Sequence, residues 1–330
     1  MLISSRTPLR VSFFGGGTDY PEYYERHRGA VVGMAIDKYV YISALELTDF
    51  IEYKYRVSYS RLEMVQELSE IEHPVVRNVL THYKIEAALD LSIAADMPAR
   101  SGLGSSSSFT VGMINLINAL RGTSVTKLDL GREAVFVERH LLRERVGVQD
   151  QLHAAFGGIN RFDFTEKRIR ISPLQLTGQS LRMLTGSLLL LHTGVSRFAS
   201  ETLDEQMVKT VSRKNDEDLS HLLTLCDQAV DVLEGEDPEV MIRDFGAMIH
   251  DGWMTKRRLS DKVSSPKIDE LYDHALACGA LGGKLCGAGS GGFLLMVVPP
   301  EVQPKFLAQL GDVRVIRIGL DTQGSTILRS

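Results

Sequence analysis

A run of serines and two carboxylates have the residue types and the spacing that phosphoryl transfer requires. Four serines, residues 105–108, follow two glycines at a predicted helix start, where free N–H groups and the helix dipole favour an anion. Glu138 and Asp150 lie in the next two predicted helices. Phosphoryl transfer from a nucleotide needs a phosphate cradle, a metal ion that neutralises charge and often a base for the attacking hydroxyl. Mg²⁺ prefers one or two protein oxygens beside phosphates and water.

Each of these features also has a purely structural explanation. A helix N-cap needs only one serine. Glu138 alone is typical of a solvated helix carboxylate, and Asp150, soon after Gly147, is typical of an N-cap. Because four hydroxyls and the glycines of "SGLGSSSS" (101–108) exceed what a cap needs, we interpret this segment as a phosphate cradle. Spacing by itself does not decide the roles of the two acids.

Two further glycine-rich segments are "FFGGGTD" (13–19) and "CGAGSGG" (286–292), and either alone is equally typical of a tight turn. The G-x-x-x-x-G-K-[ST] pattern of P-loop proteins does not occur in the sequence. "GAGSGG" matches G-x-G-x-x-G, but it follows a predicted helix and opens a strand. This order is the reverse of the dinucleotide-binding context, which argues against a Rossmann fold.

The elements that must position these residues follow from apolar periodicity. Residues 9–14 and 30–47 are predicted strands on either side of the first glycine segment, and residues 127–145 are a predicted helix that carries Glu138. From about Leu181 the pattern changes to a strand and loop, then long amphipathic helices, then two further strands. This order indicates a separate α+β layer, with a domain boundary near residue 180.

Composition excludes several classes of protein. A net charge of −5 gives no support for a broad nucleic-acid-binding surface, so an anionic ligand must be held by local basic groups and backbone amides. The three cysteines are too scattered for a disulfide framework or a zinc site, which favours reduced thiols and a cytoplasmic location. The N-terminus lacks the apolar core of a signal peptide, and the apolar runs are too short to cross a membrane. The sequence leaves open whether the protein is a homodimer.

Three motifs in order resemble those of the GHMP small-molecule kinases, the family of galactokinase, homoserine kinase, mevalonate kinase and phosphomevalonate kinase. They are "TPLRVSFFGGGTDY", "PARSGLGSSSSF" and "GGKLCGAGSGGFLLM", and together they span residues 7 to 296. The resemblance implies an α+β, two-domain GHMP kinase fold with the active site in the cleft between domains. The N-terminal domain, residues 1–180, would contain a left-handed βαβ crossover, which general rules would not predict. The C-terminal domain, residues 181–330, would be ferredoxin-like.

The resemblance also implies catalytic roles. Residues 8–20 align without gaps with the galactokinase pattern P-G-R-V-N-L-I-G-E-H-T-D-Y, so Arg10 would flank the reacting hydroxyl. Glu138 precedes Asp150 by 12 residues, the separation of the metal glutamate and catalytic aspartate in galactokinases. Asp150 would therefore accept the hydrogen bond or the proton of the attacking hydroxyl. Ser106 and Glu138 would hold Mg²⁺, and the ATP phosphates would lie on Gly102, Leu103, Gly104, Ser105, Ser106, Ser107 and Ser108.

The first motif departs from galactokinase where G-E-H-T-D becomes Gly15-Gly16-Gly17-Thr18-Asp19. The changed motif, "HTGVSR" (192–197) and residues 252–292 resemble the bacterial D-glycero-D-manno-heptose 7-phosphate kinases. Two missing side chains would enlarge the sugar pocket. The second anion of such a substrate would need partners, and the candidates are Ser196, Arg197, Lys256 and Arg258. A solvated helix face explains "KRR" (256–258) equally well, and Lys284 could be a surface lysine. The predicted substrate residues are Gly16, Gly17, Thr18, Asp19, Ser196, Arg197, Lys256, Gly287, Ala288 and Gly289.

The sequence therefore predicts an ATP-dependent sugar 1-kinase whose partners are ATP and a sugar phosphate, with Mg²⁺ as cofactor. The most specific expectation is phosphorylation of the anomeric hydroxyl of D-glycero-D-manno-heptose 7-phosphate. A kinase for a neutral sugar such as galactose or fucose is the nearest alternative. A non-catalytic sugar and ATP sensor is disfavoured by the retention of Arg10, Ser106, Glu138 and Asp150, and a decarboxylase of the mevalonate branch by "GGGTD".

Overall fold

The fold was analysed in a computed structural model that describes residues 2–48, 50–195, 200–289 and 291–329. Helices and strands are numbered in chain order. Two predicted substrate residues, Ser196 and Arg197, lie outside the described residues. Among the residues described, no helix combines the length and the apolar character needed to span a bilayer.

The first part of the chain builds an antiparallel-rich sheet with helices packed against it. Its path runs β12-β1-β2-β5-β3-β4, and β6 joins β2 to β7. The strands are β1 Leu2–Phe14, β2 Gly29–Glu46, β3 Tyr55–Ser58, β4 Leu62–Val65, β5 Leu89–Ala95, β6 Ile159–Thr165, β7 Arg168–Pro173 and β12 Thr326–Arg329. The helices are α1 Pro21–Tyr24, α2 Pro74–His82, α3 Ser105–Leu120, α4 Lys127–Phe136 and α5 Gln149–Phe156.

The parallel pair β3 and β5 is connected through β4 and α2, and it provides the predicted βαβ crossover, whose hand stays a prediction. The long pair β1 and β2 has register shifts between Pro8 and Leu9 and between Ser12 and Phe14. Such irregularities re-aim side chains and bend a strand. They flank Arg10 and lead directly into the turn of Gly15, Gly16 and Gly17.

The second sheet is fully antiparallel, with strand order β11-β8-β10-β9. Its strands are β8 Leu188–His192, β9 Gly282–Leu285, β10 Phe293–Val297 and β11 Val315–Arg317. Its helices are α6 Gly178–Ser187, α7 Ser200–Val211, α8 Asp216–Leu233, α9 Pro238–Arg258, α10 Pro266–Ala277 and α11 Gln303–Leu310. Helices connect β8 to β9 and β10 to β11, while β9 and β10 form a hairpin. This is the β-α-β-β-α-β order of a ferredoxin-like domain, as predicted.

Three local predictions differ from the structure. Residues 181–187 belong to α6, because Thr177 caps the helix by accepting from the Ser180 amide, and the strand begins only at Leu188. The helix predicted over 127–145 changes at Phe136 into a π-helical turn, Val137–Leu141. The end of the chain, predicted as part of the C-terminal domain 181–330, forms a strand that was not predicted, β12, which pairs with β1 and so returns to the first sheet. The boundary near residue 180 stays a prediction, and one cut there does not separate the two sheets.

Candidate active site

A cavity of about 610 Å³ lies where the two sheets approach each other. Its walls come from both halves of the chain. The first half contributes Arg10, Asp19 and Asp150, and the second contributes Lys256 and Lys284. The site therefore collects charged groups that lie up to 274 residues apart along the chain. This placement agrees with the predicted position of the active site between two domains.

Arg10 and Asp150 form a bidentate ion pair in this cavity. Nε and Nη2 of Arg10 donate to Oδ1 and Oδ2 of Asp150 at 2.9 and 2.6 Å, and Nη1 donates to the carbonyl of Gly102 at 2.6 Å. Burial lowers the pKa of Arg10, but the Asp150 carboxylate raises it, and the result is a raised pKa. The Arg10 side chain is 6% exposed and that of Asp150 is 25% exposed, so the carboxylate keeps an accessible side toward the cavity.

The predicted phosphate loop leads into α3, which begins at Ser105. Gly102 and Gly104 have φ of +78° and +76°, a conformation that favours glycine. A Cβ atom on Gly102 would lie 2.5 Å from the carbonyl oxygen of Cys286, so the third glycine motif packs directly on the second. The four serines of this segment differ in their surroundings. Ser105, Ser106 and Ser107 line the cavity, whereas the buried Ser108 donates to the carbonyl of Pro8 at 2.7 Å.

Glu138 is a buried carboxylate on the π-helical turn, a type of helix irregularity often found at functional sites. Its Oε2 accepts from Ser107 Oγ at 2.9 Å and from Gln151 Nε2 at 2.5 Å. Among the described residues, its Oε1 has no hydrogen-bond partner. Burial raises the pKa of Glu138 to about 7, because water no longer solvates the charge. A cation beside Glu138 would supply the missing partner, so the residues fit the predicted Mg²⁺.

The serine that contacts Glu138 is not the one that the motif alignment implied. Ser106 is exposed at the beginning of α3 and lines the cavity, but it is Ser107 that touches Glu138. Metal ligation by Ser106 stays a prediction. Sequence reasoning did not single out Gln151, whose position one residue after Asp150 on α5 was its only signal.

Asp19 is a buried acid held by backbone donors. It accepts from the amides of Gly17 at 3.0 Å and Gln149 at 3.3 Å, and it lines the cavity. Burial raises the pKa of Asp19, and the charge of Asp150 raises it further. Gly147 allows this approach, because a Cβ atom there would lie 1.9 Å from Asp19 Oδ2. Asp19 is therefore rigidly placed beside the ion pair.

The remaining residues of the first motif play different parts. Thr18 is buried, and its hydroxyl donates to the carbonyls of Gly15 and Ala30 at 2.8 Å each, so it closes the turn. Gly16 lies outside the positive-φ region, and a Cβ there would have no heavy-atom neighbour closer than 3.7 Å. Gly17 has φ of +105°. Space for a side chain thus exists at Gly16, whereas Gly17 is required by the backbone.

The segment "KRR" does not act as one basic patch. Lys256 lines the cavity, and its Nζ donates to the carbonyls of Gly287 and Leu285. Arg257 pairs with Asp269 at 2.8 Å, and Arg258 with Asp218 at 2.8 Å. Only the lysine is therefore directed toward the site. Gly287, Ala288 and Gly289, also predicted to bind substrate, line the same cavity.

Lys284 is not the surface residue that the sequence suggested. It is 8% exposed, lines the cavity and donates from Nζ to the carbonyl of Phe13 at 2.9 Å. Burial, together with the smaller effect of the nearby Lys256 charge, lowers its pKa to about 7. The only local signal of burial in the sequence was the apolar pair Leu285 and Cys286 that follows it.

Comparison with known proteins agrees with this geometry. Residues 70–158 match the family model "GHMP kinases N terminal domain" and residues 241–313 match "GHMP kinases C terminal". The chain belongs to the GHMP kinases. The predicted family, two-domain fold and enzyme class are thereby confirmed, and GHMP kinases use ATP as co-substrate.

Several named proteins are similar to this GHMP kinase over nearly its whole length. A D-glycero-alpha-D-manno-heptose 7-phosphate kinase of Campylobacter jejuni is 26% identical, with 90% of each chain covered. A galactokinase of Thermotoga maritima is 24% identical, covering 96% of this chain and 95% of the other. The crystal structure of a D-glycero-D-manno-heptose 1-phosphate kinase from Bacteriodes thetaiotaomicron superposes with a TM-score of 0.78 at 22% identity and 99% coverage of both chains.

Proposed function

We propose that this GHMP-family sugar kinase transfers the γ-phosphoryl group of ATP to the anomeric hydroxyl of D-glycero-D-manno-heptose 7-phosphate. The observation that carries the proposal is the bidentate Arg10–Asp150 pair, which opens onto the same cavity as the serine-rich start of α3. The similarity to a heptose 7-phosphate kinase supports the choice of sugar. The product would enter nucleotide-activated heptose synthesis in the cytoplasm.

In this proposal Asp150 accepts the hydrogen bond, and then the proton, of the attacking hydroxyl. Arg10 donates to both carboxylate oxygens and so fixes the orientation of Asp150. The same guanidinium lies against the Gly102 carbonyl and therefore beside the phosphate loop, where its charge favours the phosphoryl group in transfer. Holding donor and acceptor groups in one geometry is the main contribution that a phosphotransferase makes.

ATP phosphates would bind to the loop of residues 102–108. The first amides of α3 lack partners within the helix, and its dipole favours negative charge there. Ser106 and Glu138 would hold Mg²⁺, which when bound neutralises charge on the phosphates. Burial of Glu138 beside Ser107 and Gln151 leaves one carboxylate oxygen for such an ion.

The sugar would lie against the first glycine motif. Asp19 would accept from sugar hydroxyls, and the open space at Gly16 would accommodate a substrate larger than a hexose. Lys256 provides a cation toward the cavity for the substrate phosphate. A kinase for a neutral sugar is the second candidate, favoured by the similarity to galactokinase.

The test is ADP release with heptose 7-phosphate, galactose, fucose and mevalonate as acceptors. The proposal expects a kcat/KM for the heptose phosphate at least tenfold above that for any other acceptor. Turnover of a neutral sugar alone would establish the second candidate. Binding of ATP and sugar without turnover of any acceptor would indicate a sensor.

A further inference from the structure

Lys256 and Lys284 enter the cavity from the C-terminal domain on different elements. Lys256 lies in the last turn of α9, and Lys284 lies in β9. Both side chains line the cavity. Nζ of Lys256 donates to the carbonyl of Leu285, the residue that follows Lys284 in β9. In agreement with this proximity, the charge of Lys256 adds to burial in lowering the pKa of Lys284. Two ammonium groups from separate elements therefore meet at one wall.

The contacts of these two ammonium groups are with neutral oxygens. Lys284 donates to the Phe13 carbonyl, and Lys256 donates to the carbonyls of Leu285 and Gly287. Within the part of the chain that the structure describes, neither lysine forms an ion pair with a carboxylate. An ammonium group has three donors, so Lys284 keeps two and Lys256 keeps one. Burying charge without a counter-ion is costly, which makes this wall a strong attractor for an anion.

We propose that Lys284 and Lys256 together bind one phosphate group in the cavity. The inference rests on the proposed kinase function and deepens it, because it adds Lys284 to the specificity residues. Two sources can supply this chemistry: the phosphate carried by the sugar and the γ-phosphate of ATP. Two N–H donors from Lys284 and one from Lys256 match a phosphate with three terminal oxygens.

Lys284 also connects the two halves of the fold, because its donor reaches the Phe13 carbonyl in β1. A purely structural role predicts that loss of the amine lowers thermal stability equally with and without phosphate. An anion-binding role predicts that the gain in stability on adding phosphate is itself reduced. Thermal stability measured with and without phosphate therefore distinguishes the structural role from the anion-binding role.

The first experiment compares wild type, Lys284→Met and the control Lys267→Met, an exposed lysine on α10. Inorganic phosphate is titrated by calorimetry, and the Tm shift that it produces is recorded. Loss of one charge-assisted contact should weaken phosphate binding by about 10- to 100-fold in Lys284→Met, with the control unchanged. Unchanged phosphate affinity in Lys284→Met would overturn the proposal.

Kinetics then identify the source of the phosphate. A raised KM for heptose 7-phosphate, with the KM for ATP unchanged, assigns the site to the sugar. A raised KM for ATP and a lower kcat, with sugar binding unchanged, assign it to the γ-phosphate. Either result supports phosphate binding by Lys284 and Lys256, whereas unchanged kinetic constants contradict it. The calorimetric measurement uses inorganic phosphate and does not depend on heptose 7-phosphate being a substrate. Failure of the phosphate site can therefore be distinguished from failure of the proposed kinase function.

If Lys284→Met does not fold, Lys256→Met and the wild-type protein carry the test. Wild type should be stabilised by inorganic phosphate, and Lys256→Met should lose most of that stabilisation. Absence of any phosphate-dependent Tm shift in wild type would overturn the proposal without the need of a variant.

Discussion

Arg10 and Asp150 lie 140 residues apart in the chain, yet the guanidinium contacts both carboxylate oxygens at 2.9 and 2.6 Å. This pair connects β1 with the first turn of α5. Nη1 of Arg10 donates to the Gly102 carbonyl, so one side chain links Asp150, the loop of residues 102–108 and the sheet.

The first prediction concerns the base. Asp150→Asn should lower kcat by about 10²- to 10⁴-fold, because an amide cannot take the proton of the attacking hydroxyl. The Kd for ATP should remain nearly unchanged, since the loop of residues 102–108 is intact. Steady-state kinetics and ATP titration provide the measurements.

A matched control for this variant is Asp90→Asn. Asp90 pairs with Arg56 at 2.8 Å on the first sheet, away from the cavity lining. It should retain kcat within about twofold, since surface substitutions away from a site have small effects. Equal kcat for Asp150→Asn and wild type would mean that the hydroxyl attacks directly without a base.

The second prediction concerns the metal. Glu138→Gln should raise the Mg²⁺ concentration needed for half-maximal activity by at least about tenfold, because a coordinating charge is lost. The fold should persist, since burial already disfavours the charged form and glutamine is close in shape. Activity measured against Mg²⁺ concentration at saturating ATP tests this expectation.

The control for the metal variant is Glu133→Gln, because Glu133 lies on α4 and contacts His82 rather than the serine loop. It should leave the Mg²⁺ dependence unchanged. A Glu138→Gln enzyme with wild-type Mg²⁺ dependence would show that the ion binds elsewhere.

The third prediction separates the two glycines of the sugar pocket. Gly16→Glu should fold normally, because space surrounds its Cβ, and it should raise the KM for the heptose phosphate. Gly17→His should mainly destabilise the protein, by about 1–3 kcal/mol, because φ is +105° and a Cβ would lie 3.0 Å from Gln206 and Leu219. Tm and KM are measured for both variants.

Retention of wild-type KM in Gly16→Glu would show that this part of the cavity does not hold the sugar. A Gly17→His variant with unchanged Tm would contradict the backbone argument. The comparison is needed because a loss of activity in Gly17→His by itself does not distinguish a blocked pocket from a damaged turn.

The fourth prediction is a pH dependence of phosphate binding. Burial lowers the pKa of Lys256 to about 8 and that of Lys284 to about 7, so in the free protein both lose their protons as the pH rises through this range. Since an anion binds the ammonium forms, its affinity should be highest below pH 7. It should fall by up to about tenfold per pH unit for each proton lost. The charged groups that affect the two amines are Arg10, Asp19, Asp150 and Cys286.

The measurement is the KM for the sugar phosphate between pH 7 and 9. A phosphate monoester has its second pKa near 6, so the ligand's own charge changes little over this range. Lys284→Met should reduce the slope. A KM that is flat from pH 7 to 9 would show that neither amine binds the substrate phosphate.

The motif order was predictable from sequence because it depends on local patterns. Glycines before Ser105 predicted a loop that ends at a helix start, and α3 begins there. The alternation and β-branched residues around the first motif predicted β1 and β2. The separation of Glu138 and Asp150, compared with the family pattern, predicts that the two acids belong to one site.

Contacts between distant segments were decided by tertiary packing alone. Nothing local distinguishes Ser106 from Ser107, but helix rotation turns Ser107 toward Glu138. Lys284 in β9 has a polar side chain, yet β1 packs close enough to bury it and supplies the Phe13 carbonyl as hydrogen-bond acceptor.

Sequence by itself determined the family and the two-domain fold, and it predicted which acids belong to the chemistry, because these inferences depend on residue type and short-range spacing. Only the tertiary structure decided that Gly17 serves the backbone, that Arg10 pairs with Asp150 and that one cavity is lined by two lysines without a carboxylate partner among the described residues. The physical reason is that burial, backbone dihedral angles and charge pairing depend on neighbours brought together by folding, which lie up to 271 residues away in the chain.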